Sequence, residues 1–269
     1  LSLRGREDAA AFIEAFAGDD RMVVDYLAAE VLEGQDPERR RFLLRTSVLH
    51  RLSGPLCDAV AQTTDAARTL VELERSNLFL VPLARRREWF RYHHLFGELL
   101  RHELRLAAPG EVPELHRRAA EWHLAQGAID DAIEHAAAAG DLDLAADLIA
   151  EHWSSYQRSG WTTTNQRWLA LLPAERVRSD PRLCLTQAFL ALNLGRAETA
   201  APWLDAAEDA GRAVDDPAQT LLIEAAIASG RSIERLLAAA EVARAGAGRR
   251  PVPLLPPRAT YRPPRAVQA

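Results

Sequence analysis

The stretch LFLVPLARRREWFRYHHLFGELLRHEL, residues 78–104, changes its period twice within 27 residues. Its first part, LFLVPL (78–83), is a short apolar run of the length of a buried strand, and ARRR (84–87) reads as a turn. EWFRYH (88–93) reads as a second strand, with Trp89 and Arg91 expected on alternate faces. After the paired histidines His93 and His94 the spacing becomes helical, in LFGELLRHELRL, and runs to the break at Ala108-Pro109-Gly110. The segment is therefore a two-stranded hairpin feeding a helix.

Working back from the hairpin, the chain is a series of short helices. Two are expected between Arg6 and about Glu33, separated at Gly18-Asp19-Asp20. Pro37 suits the first turn of a third, which carries Phe42 and Leu43 inward. Ser53 and Asp65 mark the starts of two more, the second ending near Asn77. Short helices followed by a hairpin are the parts of a winged-helix domain.

Working forward, the pattern is helical throughout, with small-residue turns at Gly127, Gly140, Gly160 and Gly195. GAIDDAIEHAAAAGDLDLAADLI and LGRAETAAPWLDAAEDAG carry alanines that let paired helices approach closely, with Trp or Leu filling the seam. That is the grammar of tetratricopeptide arrays with an irregular period. The tail RRPVPLLPPRATYRPPRAVQA (249–269) has no period and many prolines, and is expected to be disordered. The expected fold class is mainly α, a winged-helix domain followed by a TPR-like α-solenoid. Its divisions are a helical segment and winged helix over 1–107, a partial helical array over 108–246 and a Pro-rich tail over 247–269.

Composition excludes several functions. The net charge of −5 gives no global electrostatic case for nucleic-acid binding. No lysine occurs among the 269 residues, so the chain cannot carry an intact Walker A loop, whose lysine reaches the β- and γ-phosphates. Met22-Val23-Val24-Asp25 mimics a Walker B strand but lies in a helical pattern with Val23, Val24, Leu27 and Val31 on one face. Cys57 and Cys184 sit far apart in apolar contexts and read as small buried hydrophobes. No apolar run is long enough to span a bilayer and the first residues do not read as a signal peptide, so a cytoplasmic location is expected.

The wording of DDRMVVDYLAAEVLEGQDPERRRFLLRTSVLHRLSGPLCDAV and of LVELERSNLFLVPLARRREWFRYHHLFGELLRHEL resembles the MalT-like branch of LuxR-type transcriptional regulators. The resemblance covers roughly residues 1–211. These regulators are large signal-transduction ATPases with numerous domains, in which a nucleotide-binding core, a winged helix, a helical sensor array and a C-terminal helix-turn-helix follow one another. The resemblance implies that this chain is a regulatory piece, the winged helix and the first part of the sensor. It also implies ATP or ADP as the cofactor of intact homologues and none for this piece. The implied partners are the nucleotide-binding core of the same regulator and an inducer or protein ligand on the helical array. DNA would be reached only through a helix-turn-helix not found in this sequence, and no membrane partner is implied.

The resemblance also gives the histidines a role. In related ATPases a winged-helix histidine, in a Met-His-Asp motif at a helix start, contacts the β-phosphate of ADP and holds the inactive state shut. Tyr92-His93-His94-Leu95 falls on that motif, with His93 in the histidine place and His94 in that of the acid. An imidazole N–H beside a helix N-terminus suits an anionic phosphate. The alternative is structural: His93 ends the strand, and His94 caps or packs at the helix start.

Other candidates are weaker. Arg85-Arg86-Arg87 stands at the wing tip, either a solvated turn or interface, or the phosphate contact of a DNA-binding wing. His116 and His123, seven apart on one helical face, lack the spacing of a helical metal pair. Asp130, Glu121 and Glu134 read as ordinary exposed helix charges, and no nucleophile–base arrangement points to an enzyme. Trp153, Trp161, Trp168 and Trp203 either fill seams between helices or line a ligand surface. The rival functions are a stand-alone protein-binding scaffold and a direct DNA-binding winged helix.

Overall fold

The computed structural model describes residues 31–32, 34–76, 79–83 and 88–247, the last five of these as backbone only. The expectations for residues 1–30, for Arg85-Arg86-Arg87 and for the tail 249–269 lie outside the described residues.

Among the described residues, three short helices precede the hairpin, α1 (Pro37–Thr46), α2 (Gly54–Ala61) and α3 (Ala66–Arg75). Asp36 caps α1 by accepting from the Glu38 and Arg39 amides at 3.1 and 2.9 Å, and Pro37 occupies the first turn where no amide is needed. Asp65 stands at the start of α3 in a left-handed conformation, φ 77°, and does not cap it. The Asp58 carboxylate of α2 does so instead, accepting from the Ala66 amide at 3.0 Å, which ties α2 to α3.

The hairpin pairs β1 (Leu80–Pro82) with β2 (Phe90–Tyr92) antiparallel, Val81 opposite Arg91. Both strands are shorter than the apolar pattern suggests. Phe90 also exchanges both backbone hydrogen bonds with Leu52, each 2.8 Å, so β2 is held from both sides. Phe90 and Tyr92 face the core and Arg91 faces out. The expectation that Trp89 and Arg91 lie on alternate faces is corrected: side chains two apart on a strand share a face, and the apolar partners of the pleat are Phe90 and Tyr92. Trp89 is half-buried at the edge, against Trp122 with ring centroids 6.5 Å apart.

From β2 the chain enters α4 (His94–Ala107), passes a 3₁₀ turn at Pro109–Glu111, and continues as α5 (Val112–Ala125) and α6 (Ile129–Ala139). Next come α7 (Leu142–Arg158), α8 (Thr162–Ala170), α9 (Ala174–Ser179), α10 (Pro181–Asn193), α11 (Ala197–Gly211) and α12 (Pro217–Ala247). The described chain is mainly α, with the hairpin as its one sheet among the described residues. Gly127, Gly140, Gly160 and Gly195 all take φ between 70° and 81°, which only glycine adopts without strain, and each ends a helix so that the next can fold back. Consecutive helices then pack in pairs, α5 on α6, α6 on α7, α10 on α11 and α11 on α12.

Two large apolar cores result. One joins α1 to α4 with the hairpin, from Leu32 to Leu104, and takes in Leu115 and Ala119 of α5. The second runs from Ala120 of the same helix through Ile133, Ile149 and Trp168 to Leu190. Helix α5 belongs to both. Cys57 and Cys184 are free and buried, as expected of small hydrophobes, and burial raises both thiols, Cys184 to about 11. Among the described residues no helix is long and apolar enough to cross a membrane.

Candidate functional site

His93 holds the N-cap position of α4, with φ −56° and ψ 140°, and its side chain makes no capping hydrogen bond. Its backbone amide donates to the Phe79 carbonyl at 2.7 Å, so the hairpin fixes where α4 begins. His94 is the first helical residue and is exposed, its ring 4.5 Å from that of His93. The cap position thus belongs to His93 rather than His94. Beneath them Tyr92 is buried, and its hydroxyl meets that of Thr46 on α1 at 2.7 Å. Burial pushes the Tyr92 phenol far up, so it stays neutral and serves as a core strut.

The first amides of a 14-residue helix and the exposed His94 ring can face an anion here, while the Nδ1 of His93 is buried, which leaves Nε2 as that ring's candidate donor. This arrangement does not replace a lysine with a loop of backbone amides, so nucleotide would be held only together with groups elsewhere.

A second constellation was half legible. His116 and His123 share a face of α5 as expected, and folding brings His135 of α6 to both. The His116 and His135 Nδ1 atoms lie 2.8 Å apart, and the His123 and His135 rings stack with centroids at 5.4 Å and planes 9° apart. His50, in the turn between α1 and α2, acts on His116 and His135. Burial lowers all three rings, His116 to about 4 and His135 to about 3. Among the described residues no group of three or more His, Cys, Asp or Glu is arranged to hold a metal ion. The sequence carried one signal for His135, its apolar surroundings in IEHAAAA, but not its partners.

The acids of α6 are also more than surface charges. Asp130 accepts the indole N–H of buried Trp168 at 2.5 Å and pairs with Arg167, which also reaches half-buried Glu134. The reading of Asp130 and Glu134 as ordinary exposed charges is corrected in part: α8 folds back onto the start of α6, where Asp130 stays 43% exposed but accepts the buried indole N–H, and Glu134 is half-buried. Glu121 stays exposed, paired with Arg117.

The four tryptophans separate. Trp168 lies fully within the second core beside Tyr156, with centroids 4.4 Å apart. Trp161 packs edge-on against Tyr156, centroids 5.0 Å apart, and remains 54% exposed. Trp153 stacks on Phe189, and Trp203 lies under the Arg178 guanidinium at 4.9 Å. Three of them fill seams, and Trp161 is the one left open to solvent.

Comparison with known proteins agrees with this architecture. Residues 28–112 match the family described as the MalT winged helix domain. The HTH-type transcriptional regulator MalT of Klebsiella pneumoniae is 41% identical over 167 residues, 62% of this chain and 18% of that protein. MalT of Cronobacter sakazakii is 40% identical over the same shares. The serine/threonine-protein kinase PknK of Mycobacterium tuberculosis is 36% identical over 214 residues, 79% of this chain and 19% of that protein. The chain spans less than a fifth of the length of each of these relatives.

Proposed function

From a MalT-like chain that carries a MalT winged helix domain at residues 28–112, we propose that this segment is the coupling module of a larger transcriptional regulator. In this reading the winged helix docks on a nucleotide-binding core of the same regulator. The helical array receives an inducer or protein ligand, and DNA is reached by a separate helix-turn-helix. The module itself is no enzyme and works in the cytoplasm.

One observation carries the reading: α5 contributes Leu115 and Ala119 to the winged-helix core and Ala120 to the array core. Packed cores resist continuous deformation, so a displacement of the array must be passed through α5 to the winged helix or be refused. The relatives support it as well. One kind is named a transcriptional regulator and the other a kinase, yet both match this stretch, which suits a coupling part serving different outputs.

His93 is the proposed contact to the ADP phosphate in the intact regulator, made in the closed state. A ligand shifts a conformational equilibrium only by what it binds better in one state. Losing a charge-assisted hydrogen bond made in the closed state alone removes roughly 1.5–3 kcal/mol of bias, about a ten- to hundredfold shift toward the open form. The test is His93→Ala in the full-length regulator, measured for ADP retention and for transcription without inducer. Faster ADP loss with raised basal transcription is expected. A lowered melting temperature with unchanged basal transcription would return His93 to a purely structural role.

A further inference from the structure

The histidine cluster sits where three parts of the fold meet: the turn holding His50, helix α5 with His116 and His123, and helix α6 with His135. His123 and His135 are 7% and 5% exposed, too buried to be solvated as cations. The groups acting on the three rings are one another, His50, and the exposed Asp131 carboxylate, which favours charge on His123 alone. Nearby on α5, Arg118 donates to Glu114 and to the Val60 carbonyl of α2, a polar link separate from the histidine contacts.

Proton count follows from geometry. The His116 and His135 Nδ1 atoms at 2.8 Å need one hydrogen between them, one ring donating and the other accepting. The donor ring can take an added proton at Nε2 and keep this bond, but that puts a charge in a largely buried pair, and a second added proton places two N–H groups head to head. His123 Nδ1 is buried with no hydrogen-bond partner among the described residues, and a charge there would lie against the stacked His135 ring.

We propose that the His116–His135 pair, with His123 stacked on it and His50 beside it, is a proton-operated latch that clamps α5 to α6 where the array joins the winged helix, closed when neutral and released in acid.

The direction of titration agrees. The folded pKa values of His116 and His135 lie below the ordinary histidine value of 6.5, at about 4 and about 3. The open state therefore binds more protons between those values and 6.5. The closed state is fully favoured above 6.5 and loses ground as pH falls toward 4. At pH 5 one added proton on the His116–His135 pair shifts the closed-to-open ratio by up to roughly thirtyfold. The inference rests on the cluster alone and holds whatever the larger protein regulates.

Amide hydrogen exchange on this chain at pH 7.5 and 5.0, corrected for intrinsic rates, reads the latch locally. In the wild type, protection of α5 and α6 should fall at least tenfold at pH 5.0, while that of α10 and α11 holds. In His116→Asn/His123→Gln/His135→Asn the acid loss should disappear, because Asn places an amide near Nδ1 without titrating. Equal protection at both pH values in the wild type, or the same acid loss in the triple variant, would overturn the proposal. Should the triple variant not fold, His135→Asn alone decides: an acid loss several-fold smaller than the wild type's supports the latch, and an equal loss refutes it.

Discussion

The indole N–H of Trp168 donates to the Asp130 carboxylate at 2.5 Å, 38 residues away in sequence, and this bond joins α8 to the first turn of α6. The ring is wholly buried, so its one polar atom needs an acceptor inside the fold. Arg167 shares the same carboxylate at 2.6 and 2.7 Å from a more exposed position.

Asp130→Ala is accordingly expected to cost about 2–3 kcal/mol, since it leaves a buried donor unpaired. Arg167→Ala removes a solvent-screened pair and should cost less than about 1 kcal/mol. Urea denaturation of both variants checks the order, and equal costs would mean that the ion pair rather than the indole bond matters.

Tyr92→Phe removes one side of the buried hydroxyl pair with Thr46. Thr46 Oγ1 keeps the Phe42 carbonyl as its acceptor at 2.7 Å, so no donor is stranded. The expected loss is about 0.5–1.5 kcal/mol, with the hairpin intact by circular dichroism. A loss above about 3 kcal/mol, beyond a single neutral hydrogen bond, would show the phenol supporting the His93 turn in some further way.

Two glycines separate backbone contact from side-chain contact. A Cβ on Gly54 would stand 2.7 Å from the Ala67 Cβ, where α2 and α3 meet with nothing flexible between them. Gly54→Ala should therefore lower stability by about 1–3 kcal/mol. On Gly230 the equally short contact is to a terminal Leu204 methyl, which can turn away. There the gain in helix propensity, about 1 kcal/mol, offsets the repacking, and thermal melts should place Gly230→Ala near wild type.

Calorimetry with ADP and Mg²⁺ on this chain alone should give no saturable heat at micromolar concentration. The helix start at His93 supplies a single cluster of donors, whereas tight phosphate binding uses a lysine and a nest of amides together. Saturable micromolar binding would place a nucleotide site within these residues.

Much of the architecture was legible because it depends on local period. Pro37 and the apolar spacing after His94 define helices through interactions a few residues long. The four turn glycines do the same through φ. The short helix α9 was not legible, since Ala174–Ser179 holds too few residues to display a period. The start of α3 at Asp65 was legible, but not that the carboxylate accepting its first amide is Asp58 of the preceding helix.

Local spacing was enough to tell which face of each helix is apolar and where the chain turns, and composition alone showed that these residues hold no Walker A lysine. What those faces meet follows from the folded packing and not from local spacing. His116 and His123 announce a polar spot on α5, yet nothing local to α6 says that His135 will share a proton with it from 19 residues away. Asp130 looks like solvent-facing charge until α8 returns with Trp168. Periodicity reports the direction of a side chain relative to its own helix axis, while a hydrogen-bonded site needs the register of two helices at once. That register is set by the close packing of whole cores, and no short window of sequence contains it.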